Sequence, residues 1–121
     1  MPARRSLSFP KSRRLTCAAE FERVRQEGRA HHGGLLILGV LAAKEVQGFR
    51  AGFVTARRLG GAVVRNRVRR RLREIVRKHQ QEIVDAKWIV TIARPNAARA
   101  SYRQLEDEWL RLAKRAFILA S

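Results

Sequence analysis

Cysteine and long apolar runs are both scarce in this chain of 121 residues, and each shortage excludes a class of protein. The only cysteine, Cys17, cannot form an internal disulfide or supply a zinc site, so we expect a small, half-buried apolar residue and a reducing, cytoplasmic setting. No apolar run approaches the ~20 residues that a membrane-spanning helix needs. No apolar segment follows Arg4 and Arg5 as it would in a secretory signal.

Acidic residues are the most informative shortage. Ten Asp and Glu face 27 Lys and Arg, which gives a formal net charge of +17 and a sequence pI of about 11.8. A compact domain this basic repels itself unless it has a polyanionic partner, so we expect nucleic acid, with a membrane surface as the alternative. The acids are scattered and form no carboxylate pair, and no Ser/His/Asp or Cys/His set is visible. The sequence therefore predicts no catalytic residue and no metal ligand on the protein.

The length allows one domain and not two. A hydrophobic content of 45% is enough for a core. Residues 1–14 are basic and are interrupted by Pro2 and Pro10, so we expect an N-terminal arm there. Residues 15–121 are expected to form a single RNA-binding α+β domain.

The first half of the chain is predicted to form one helix and two strands. Phe21 shares a face with Val24 in a helix expected over 17–27, with Thr16 as its N-cap and Gly28 at its end. A Gly-rich turn at 31–34 follows, and its two adjacent histidines have no second ligand pair for a metal.

The two predicted strands come next. The continuous apolar run at 35–43 indicates a strand covered on both faces, and the alternating segment at 49–56 indicates a half-covered one. Because only a short polar link at 44–48 separates them, we expect them to pair as an antiparallel hairpin.

The second half is predicted to form helix, strand, helix. A basic helix over 62–79 is followed by a buried strand over 87–94, which Pro95 closes. Ser101 begins a capping box for a last helix over 102–118. Trp88 of this strand and Trp109 and Phe117 of this helix are expected core residues. The order α-β-β-α-β-α predicts a small central sheet packed by helices.

Residues 57–78 are the most distinctive part of the chain: RRLGGAVVRNRVRRRLREIVRK. Ten of these 22 residues are Arg or Lys, and Glu74 is the only acid. Wound as a helix, the segment carries an apolar stripe of Val64, Val68, Leu72, Ile75 and Val76. Its opposite face carries Asn66, Arg70, Arg73 and Arg77, a surface suited to a phosphate backbone because guanidinium groups bind phosphate bidentately.

Two further features favour RNA. Gly60 and Gly61 allow the backbone at the helix start to approach a ligand closely, and helix N-termini attract anions. Phe21 is either a core residue or an exposed platform on which a single-stranded base stacks.

Residues 55–74, TARRLGGAVVRNRVRRRLRE, closely resemble the signature segment of the bacterial ribonuclease P protein family. The resemblance includes the triplet Arg65-Asn66-Arg67, Phe9-Pro10 followed by Arg14-Leu15, Phe21, and the later strand at 89–94. It covers nearly the whole chain.

This resemblance implies a fold like the second domain of ribosomal protein S5, with a left-handed β-α-β crossover. It also implies that a large partner RNA carries the chemistry and that the enzyme is ribonuclease P, which cleaves precursor tRNA to free the mature 5′ end. Magnesium ions would be held mainly by that RNA, and no organic cofactor is implied. The protein, expected as a monomer, would bind the catalytic RNA and the 5′ leader of precursor tRNA.

The same resemblance implies two groups of site residues. Those expected to meet the catalytic RNA are Arg57, Arg58, Gly60, Arg65, Asn66 and Arg67. Those expected near the RNA and the leader are Phe21, Arg69, Arg70 and Arg73, and Arg25 is added to them for its charge. Arg25 departs from the family pattern, which has a second aromatic there, and this favours a more electrostatic grip on the leader.

Three alternatives remain at this point, and one of them, a protein-only nuclease, is disfavoured because the sequence shows no carboxylate cluster. A ribosomal or other structural RNA-binding protein would share the charge without a role in tRNA processing. A DNA-binding regulator would use 62–79 as a recognition helix, but that helix is rich in arginine and poor in side chains that discriminate between bases.

Overall fold

A computed structural model describes residues 14–15, 17–42, 49–83 and 87–119, and these form a sheet packed by helices. The helices are α1 (Ala18–Glu27), α2 (Ala62–His79) and α3 (Tyr102–Arg115). The strands are β1 (Arg29–His32), β2 (Leu36–Ala42), β3 (Arg50–Val54) and β4 (Lys87–Ala93). The α+β prediction is confirmed. The predicted arm up to residue 13, the N-cap Thr16 and the link at 44–48 lie outside the described residues.

The four strands form one sheet in the spatial order β1-β2-β4-β3. β4 runs antiparallel to β2 and parallel to β3, so that Ile89 lies opposite Val40 on one side and Ala51 on the other. The predicted hairpin between the strands at 35–43 and 49–56 is therefore wrong, because β4 lies between them. α2 connects the parallel neighbours β3 and β4. The left hand of that crossover stays a prediction.

β1 is an edge strand where the sequence predicts a turn at 31–34. It pairs antiparallel with β2, with His31 opposite Leu38. The hairpin turn begins at Gly33, whose N–H donates to the Leu36 carbonyl at 2.8 Å. The four residues of β1 are polar or small and have no alternating apolar pattern, so the pairing with β2 determines their conformation.

α2 is the predicted basic helix, and its apolar stripe packs on the sheet. Val68, Leu72, Ile75 and Val76 are fully buried, whereas Val64 at the helix start is half-buried. The four buried residues join the core that contains Leu36, Leu38 and Trp109. This packing fixes the rotation of α2, so that its arginine-rich side faces away from the core.

α3 begins at the predicted capping box. The Gln104 N–H donates to Ser101 Oγ at 3.1 Å, and the Ser101 N–H donates to Gln104 Oε1 at 2.8 Å. The helix ends at Arg115, earlier than predicted. Phe117, predicted to be a core residue, is 83% exposed, because the chain turns there at a φ of +58° and Ile118 enters the core instead.

α1 begins one residue later than predicted, and Cys17 rather than Thr16 is its N-cap. The Cys17 N–H donates to Glu20 Oε1 at 3.1 Å. Cys17 is exposed, so the prediction of a half-buried residue is wrong. An N-cap side chain lies at the open end of a helix and not on its apolar face. Gly28 ends α1 as predicted.

The sheet is covered on both faces, by different helices. Ile89 and Ala93 of β4 belong to the core beneath α2 and α3, whereas Trp88 and Val90 belong to a smaller cluster with α1. Both tryptophans, Trp88 and Trp109, are buried as predicted. α1 packs on the face of the sheet that carries this smaller cluster, and a groove lies between α1 and the sheet.

Candidate RNA-binding surface

The turn before α2 places two arginines beside the start of the helix. Gly60 has a φ of +146°, which favours glycine, and a Cβ atom there would lie 3.1 Å from the side chain of Val64. Arg57 and Arg58 are exposed, while Leu59 between them and Gly60 is buried. The first turn of α2 contains no acidic residue, so no side chain there neutralises the positive end of the helix dipole. The predicted catalytic-RNA residues Arg57, Arg58 and Gly60 therefore lie together at the start of α2.

The triplet at 65–67 occupies the next turn of α2. Asn66 is exposed, and its Oδ1 accepts a hydrogen bond from Arg69 at 3.3 Å. Arg67 is exposed and donates to the carbonyl of Ala98 at 3.1 Å. The Nε of half-buried Arg65 is buried and has no hydrogen-bond partner in the described part of the chain. Neither arginine is paired with a carboxylate of a described residue, so both charges remain available to an anion.

Farther along α2, the arginines predicted near the leader have few compensating acids. Arg69 donates to the hydroxyl of Thr55 at 2.5 Å as well as to Asn66, and both partners are neutral. Arg70 is exposed and Arg73 is half-buried. Burial lowers the pKa of Arg73, and the nearby positive charges of Arg14 and Arg69 lower it further. Such mutual repulsion marks a place that favours an anion.

Arg77 has a different environment from the other arginines on this side of α2. It pairs with Glu74, and that hydrogen bond raises the pKa of Arg77. Its charge is therefore compensated within the helix. The strongly cationic part of α2 is its N-terminal two-thirds.

A groove of about 650 Å³ lies between α1 and the sheet. Its walls are mostly apolar and include Phe21, Ile37, Phe53 and Ile92. The ring of Phe21 is half-buried: it packs on the α1-side cluster and also lines the groove. Phe21 therefore has one side in the apolar cluster and another at the groove, and its role as a stacking platform stays a prediction.

Arg25 lines the same groove, and its charge is partly compensated. Its Nε donates to both carboxylate oxygens of Glu22, at 3.1 and 3.0 Å. That hydrogen bond lowers the pKa of Glu22 and raises the pKa of Arg25. Both side chains are exposed, so the pair is screened by solvent. The expected electrostatic contribution of Arg25 is reduced by this partner.

Three residues outside the two predicted groups make contacts at this surface. Thr55 lines the groove and orients Arg69. Arg14 lies beside Ala51 of β3 in a parallel bridge, close to Arg69 and Arg73. Arg50 joins Glu20 of α1, at 2.7 Å, to the carbonyl of Arg14, at 3.0 Å. Thr55 and Arg14 belong to segments that carry the family resemblance, but the contacts of all three residues join distant segments and could not be read from a local pattern.

Neither a metal cluster nor a spanning helix is found in the parts of the chain that the structure describes. No three His, Cys, Asp or Glu residues there lie together in a way that could hold a metal ion. Within the same ranges, no helix is both long enough and apolar enough to cross a membrane.

Comparison with known sequences gives one consistent result. A family model described as Ribonuclease P matches residues 9–117. The chain is 42% identical over 107 residues to the ribonuclease P protein component of Roseiflexus castenholzii, covering 88% of this chain and 87% of that protein. It is 30% identical over 111 residues to the protein of the same name from Bacillus cereus, covering 92% and 93% of the two chains.

Solved structures resemble the fold over most of its length. The RNase P protein from Staphylococcus aureus matches with a TM-score of 0.84 and 29% identity, covering 90% of this chain and 99% of that one. The RNase P protein from Thermotoga maritima matches with a TM-score of 0.76 and 26% identity, covering 84% and 96%.

Proposed function

The chain belongs to the bacterial ribonuclease P protein family, and from that premise we propose how its surfaces serve the enzyme. It is the protein component of ribonuclease P, a ribonucleoprotein, and its partner is the RNA subunit. We propose that it binds that RNA and the 5′ leader of precursor tRNA, and thereby assists magnesium-dependent removal of the leader. Family membership removes the alternative of a ribosomal or other structural RNA-binding protein.

One observation supports leader binding above the others: an apolar groove opens beside arginines that lack acidic partners. Phe21 and Phe53 line both the groove and the smaller pocket that contains Arg69 and Arg73. A single strand presents bases that stack on aromatic rings and phosphates that bind guanidinium groups. A base-paired stem hides its bases, so this combination favours an unpaired leader over the mature tRNA body.

The start of α2 is the part of the surface assigned to the catalytic RNA. Arg57, Arg58 and the residues at 65–67 surround a helix N-terminus that has no acid in its first turn. Folded RNA presents closely spaced phosphates, which such a cluster neutralises without reading sequence. The φ of +146° at Gly60 forms the turn that places Arg57 and Arg58 beside the helix end, where free N–H groups attract a phosphate.

The chemistry of cleavage is assigned to the RNA subunit. We propose that the magnesium ions are held mainly by the RNA subunit, as the family resemblance implies. Magnesium would supply charge stabilisation for phosphodiester hydrolysis. The protein neutralises phosphates and orients the leader, which brings the scissile bond to the RNA and lowers the need for free magnesium.

The protein is proposed to act as a monomer in the cytoplasm. Its exposed Cys17 is the only cysteine in the chain, so an internal disulfide is not available to it. The cationic surface faces outward along one side of α2, where a large RNA has access without a second protein copy.

Reconstitution tests the proposal. The purified protein alone is expected to leave precursor tRNA intact, whereas adding it to a cognate RNA subunit should restore cleavage at magnesium concentrations too low for the RNA alone. An Arg103→Gln variant, which removes one exposed charge on α3, controls for a general effect of charge and should stimulate cleavage as well as the native protein does. Lack of stimulation by the native protein under these conditions would refute the proposed assistance to cleavage.

A further inference from the structure

Phe117 occupies a backbone position that usually belongs to glycine. α3 ends in a Schellman motif, in which the Ile118 N–H donates to the Ala113 carbonyl at 3.1 Å. In the same motif the Phe117 N–H donates to the Lys114 carbonyl, also at 3.1 Å. Phe117 has a φ of +58° and is the only non-glycine residue with a positive φ in the part of the chain that the structure describes. This left-handed conformation is unfavourable for a bulky residue, whereas glycine adopts it without strain.

The ring of Phe117 gives the core little in return for this strain, because the residue is 83% exposed. The next residue, Ile118, is fully buried, and Leu119 forms a bridge with Ile83. The backbone on both sides of Phe117 is therefore held, and the ring is presented to solvent from a fixed position. An exposed aromatic ring at a strained backbone position indicates a role in binding and not in folding.

Basic side chains lie on the same face of the sheet as α3. His31 lies opposite Leu38, which belongs to the core beneath α2 and α3. Cross-strand partners share a face, so His31 and Arg29, two residues earlier, are on the α3 side of the sheet. Lys87 begins β4 two residues before Ile89 of the same core, so it is on that side too.

A pocket of about 390 Å³ brings these three basic residues together at the end of α3. Ala116, immediately before the exposed ring, is one of its lining residues, and Glu27 is its only acid. Glu27 is paired with Arg23 at 3.5 Å. Neither Arg29 nor Lys87 is paired with a carboxylate of a described residue, so both charges are available to an anion.

This pocket lies at the other end of the sheet from the start of α2. β4 begins beside the pocket at Lys87 and ends at Ala93. β3 runs parallel to β4 and ends at Val54, just before the turn that leads into α2. The length of β4 separates the two ends by roughly 20 Å. An RNA bound at the start of α2 therefore needs a separate segment to reach the pocket.

Charge indicates which kind of partner fits Phe117 and the pocket. Lys114 and Arg115, in the last turn of α3, are exposed and add to the positive charge around the ring. A second copy of the chain is an unsuitable partner, because each copy carries a formal charge of +17. An unpaired nucleotide has a base that stacks on an aromatic ring and a phosphate that binds cations, whereas a base-paired stem hides its bases.

We propose that Phe117 is a stacking platform for an unpaired base of the RNA subunit, and that Arg29 and Lys87 bind the adjoining phosphates. The inference rests on the proposed binding of the RNA subunit and adds a second contact, separate from the start of α2. The strained backbone then has a physical reason, since it directs the ring away from the core and toward the RNA.

Phe117→Gly tests the proposal, because its effects on folding and on binding have opposite signs. Glycine relieves the left-handed backbone, so the midpoint of urea unfolding should rise. Affinity for the RNA subunit, measured by equilibrium titration, should fall by roughly fivefold or more, as expected for loss of one stacked base. Phe117→Trp keeps an aromatic ring and should bind the RNA subunit about as tightly as the native protein.

A second pair of variants tests the phosphate contacts. Lys87→Gln should weaken binding of the RNA subunit and lower the slope of its salt dependence by about one. Arg103→Gln removes an exposed charge near the start of α3 and should leave both quantities nearly unchanged. The effects of Lys87→Gln and Phe117→Gly should not add fully in the double variant, because both residues hold the same segment of RNA.

Three results would overturn the proposal. The first is equal affinity of native protein and Phe117→Gly for the RNA subunit. The second is a Phe117→Gly defect confined to precursor tRNA binding by the assembled holoenzyme, which would assign the ring to the substrate. The third is a dimer of the free protein that Phe117→Gly dissociates. Failure of the proposed function is distinct from all three, because native protein would then not bind the RNA subunit at all.

Discussion

The ring of Phe21 lies directly against the backbone of Gly52, so closely that a Cβ atom at position 52 would meet the ring Cζ at 2.5 Å. The same atom would also lie 3.1 Å from the Cβ of Leu15. Gly52 is in β3, and its lack of a side chain lets the α1 aromatic reach the sheet. The position of the ring at the groove wall thus depends on having a glycine, with no side chain, at position 52 of β3.

Gly52→Ala should displace the Phe21 ring and weaken leader binding. The added methyl group conflicts with a rigid ring and with Leu15, so overpacking of about 1–3 kcal/mol is expected in stability. Affinity for a leader-bearing substrate should fall, while assembly with the RNA subunit should change little. Gly34→Ala is the control, because a Cβ there meets no atom within 4 Å. Unchanged leader affinity in Gly52→Ala would show that the ring's position does not matter.

Thr55→Val should release Arg69 without removing any charge. The hydroxyl that accepts from Arg69 at 2.5 Å is lost, while the side chain keeps nearly its shape. Stability should fall by about 1 kcal/mol, the usual worth of a buried hydrogen bond. Leader affinity should fall more in Thr55→Val than in Thr55→Ser, because serine keeps the hydroxyl acceptor. Equal affinities of the two variants would contradict a positioning role for Thr55.

Substitutions on opposite sides of α2 should have different effects, one lowering stability and the other lowering RNA affinity. Leu72 is fully buried, so Leu72→Ala should lower the free energy of unfolding by about 2–5 kcal/mol. Arg70 is exposed, so Arg70→Ala should change stability by no more than about 0.5 kcal/mol. RNA affinity should fall in Arg70→Ala at a temperature where both variants are folded. Denaturant titration and equilibrium RNA binding on the same preparations make the comparison. The opposite pattern would mean that the arginine-rich side of α2, and not its apolar stripe, packs on the sheet.

The buried carboxylate of Glu108 holds α3 to the β1–β2 turn. Its Oε2 accepts from the N–H groups of Leu35 and Leu36, at 2.6 and 2.7 Å. Glu108→Ala leaves two donors without that acceptor, so unfolding free energy should fall by roughly 2–3 kcal/mol. Asp107→Ala, at the exposed neighbouring position, should have little effect. A denaturant curve for Glu108→Ala that overlays the native one would exclude this role.

Helices could be predicted from the sequence better than the sheet. The stripe of α2 repeats every three to four residues, and such a pattern depends only on neighbours within one helix. Strand order depends on contacts across the chain. The pairing of β3 with β4 spans the whole of α2, so the short link at 44–48 suggested a hairpin that does not form. β1 has no apolar alternation, and its partner β2 determines its structure.

The site shows the same division. The positions of the arginines from Arg65 to Arg73 could be predicted because one helix carries them, and Arg57 and Arg58 lie in the turn just before that helix. The smaller pocket lined by Arg14, Arg69 and Arg73 could not be predicted. Arg14 reaches it through a bridge to Ala51 that no local sequence pattern indicates. The compensation of Arg25 by Glu22 and of Arg77 by Glu74 shows that a formal count of charges overstates the free positive charge.

The affinity that the protein adds for a leader tests the account most directly. The RNA subunit alone and the reconstituted holoenzyme are each titrated with precursor tRNA that carries a leader and with the same tRNA lacking it. The protein should raise affinity for the leader-bearing substrate by about tenfold or more, the contribution of one or two stacked bases, and should leave affinity for the leaderless tRNA nearly unchanged. An equal gain for both substrates would contradict it.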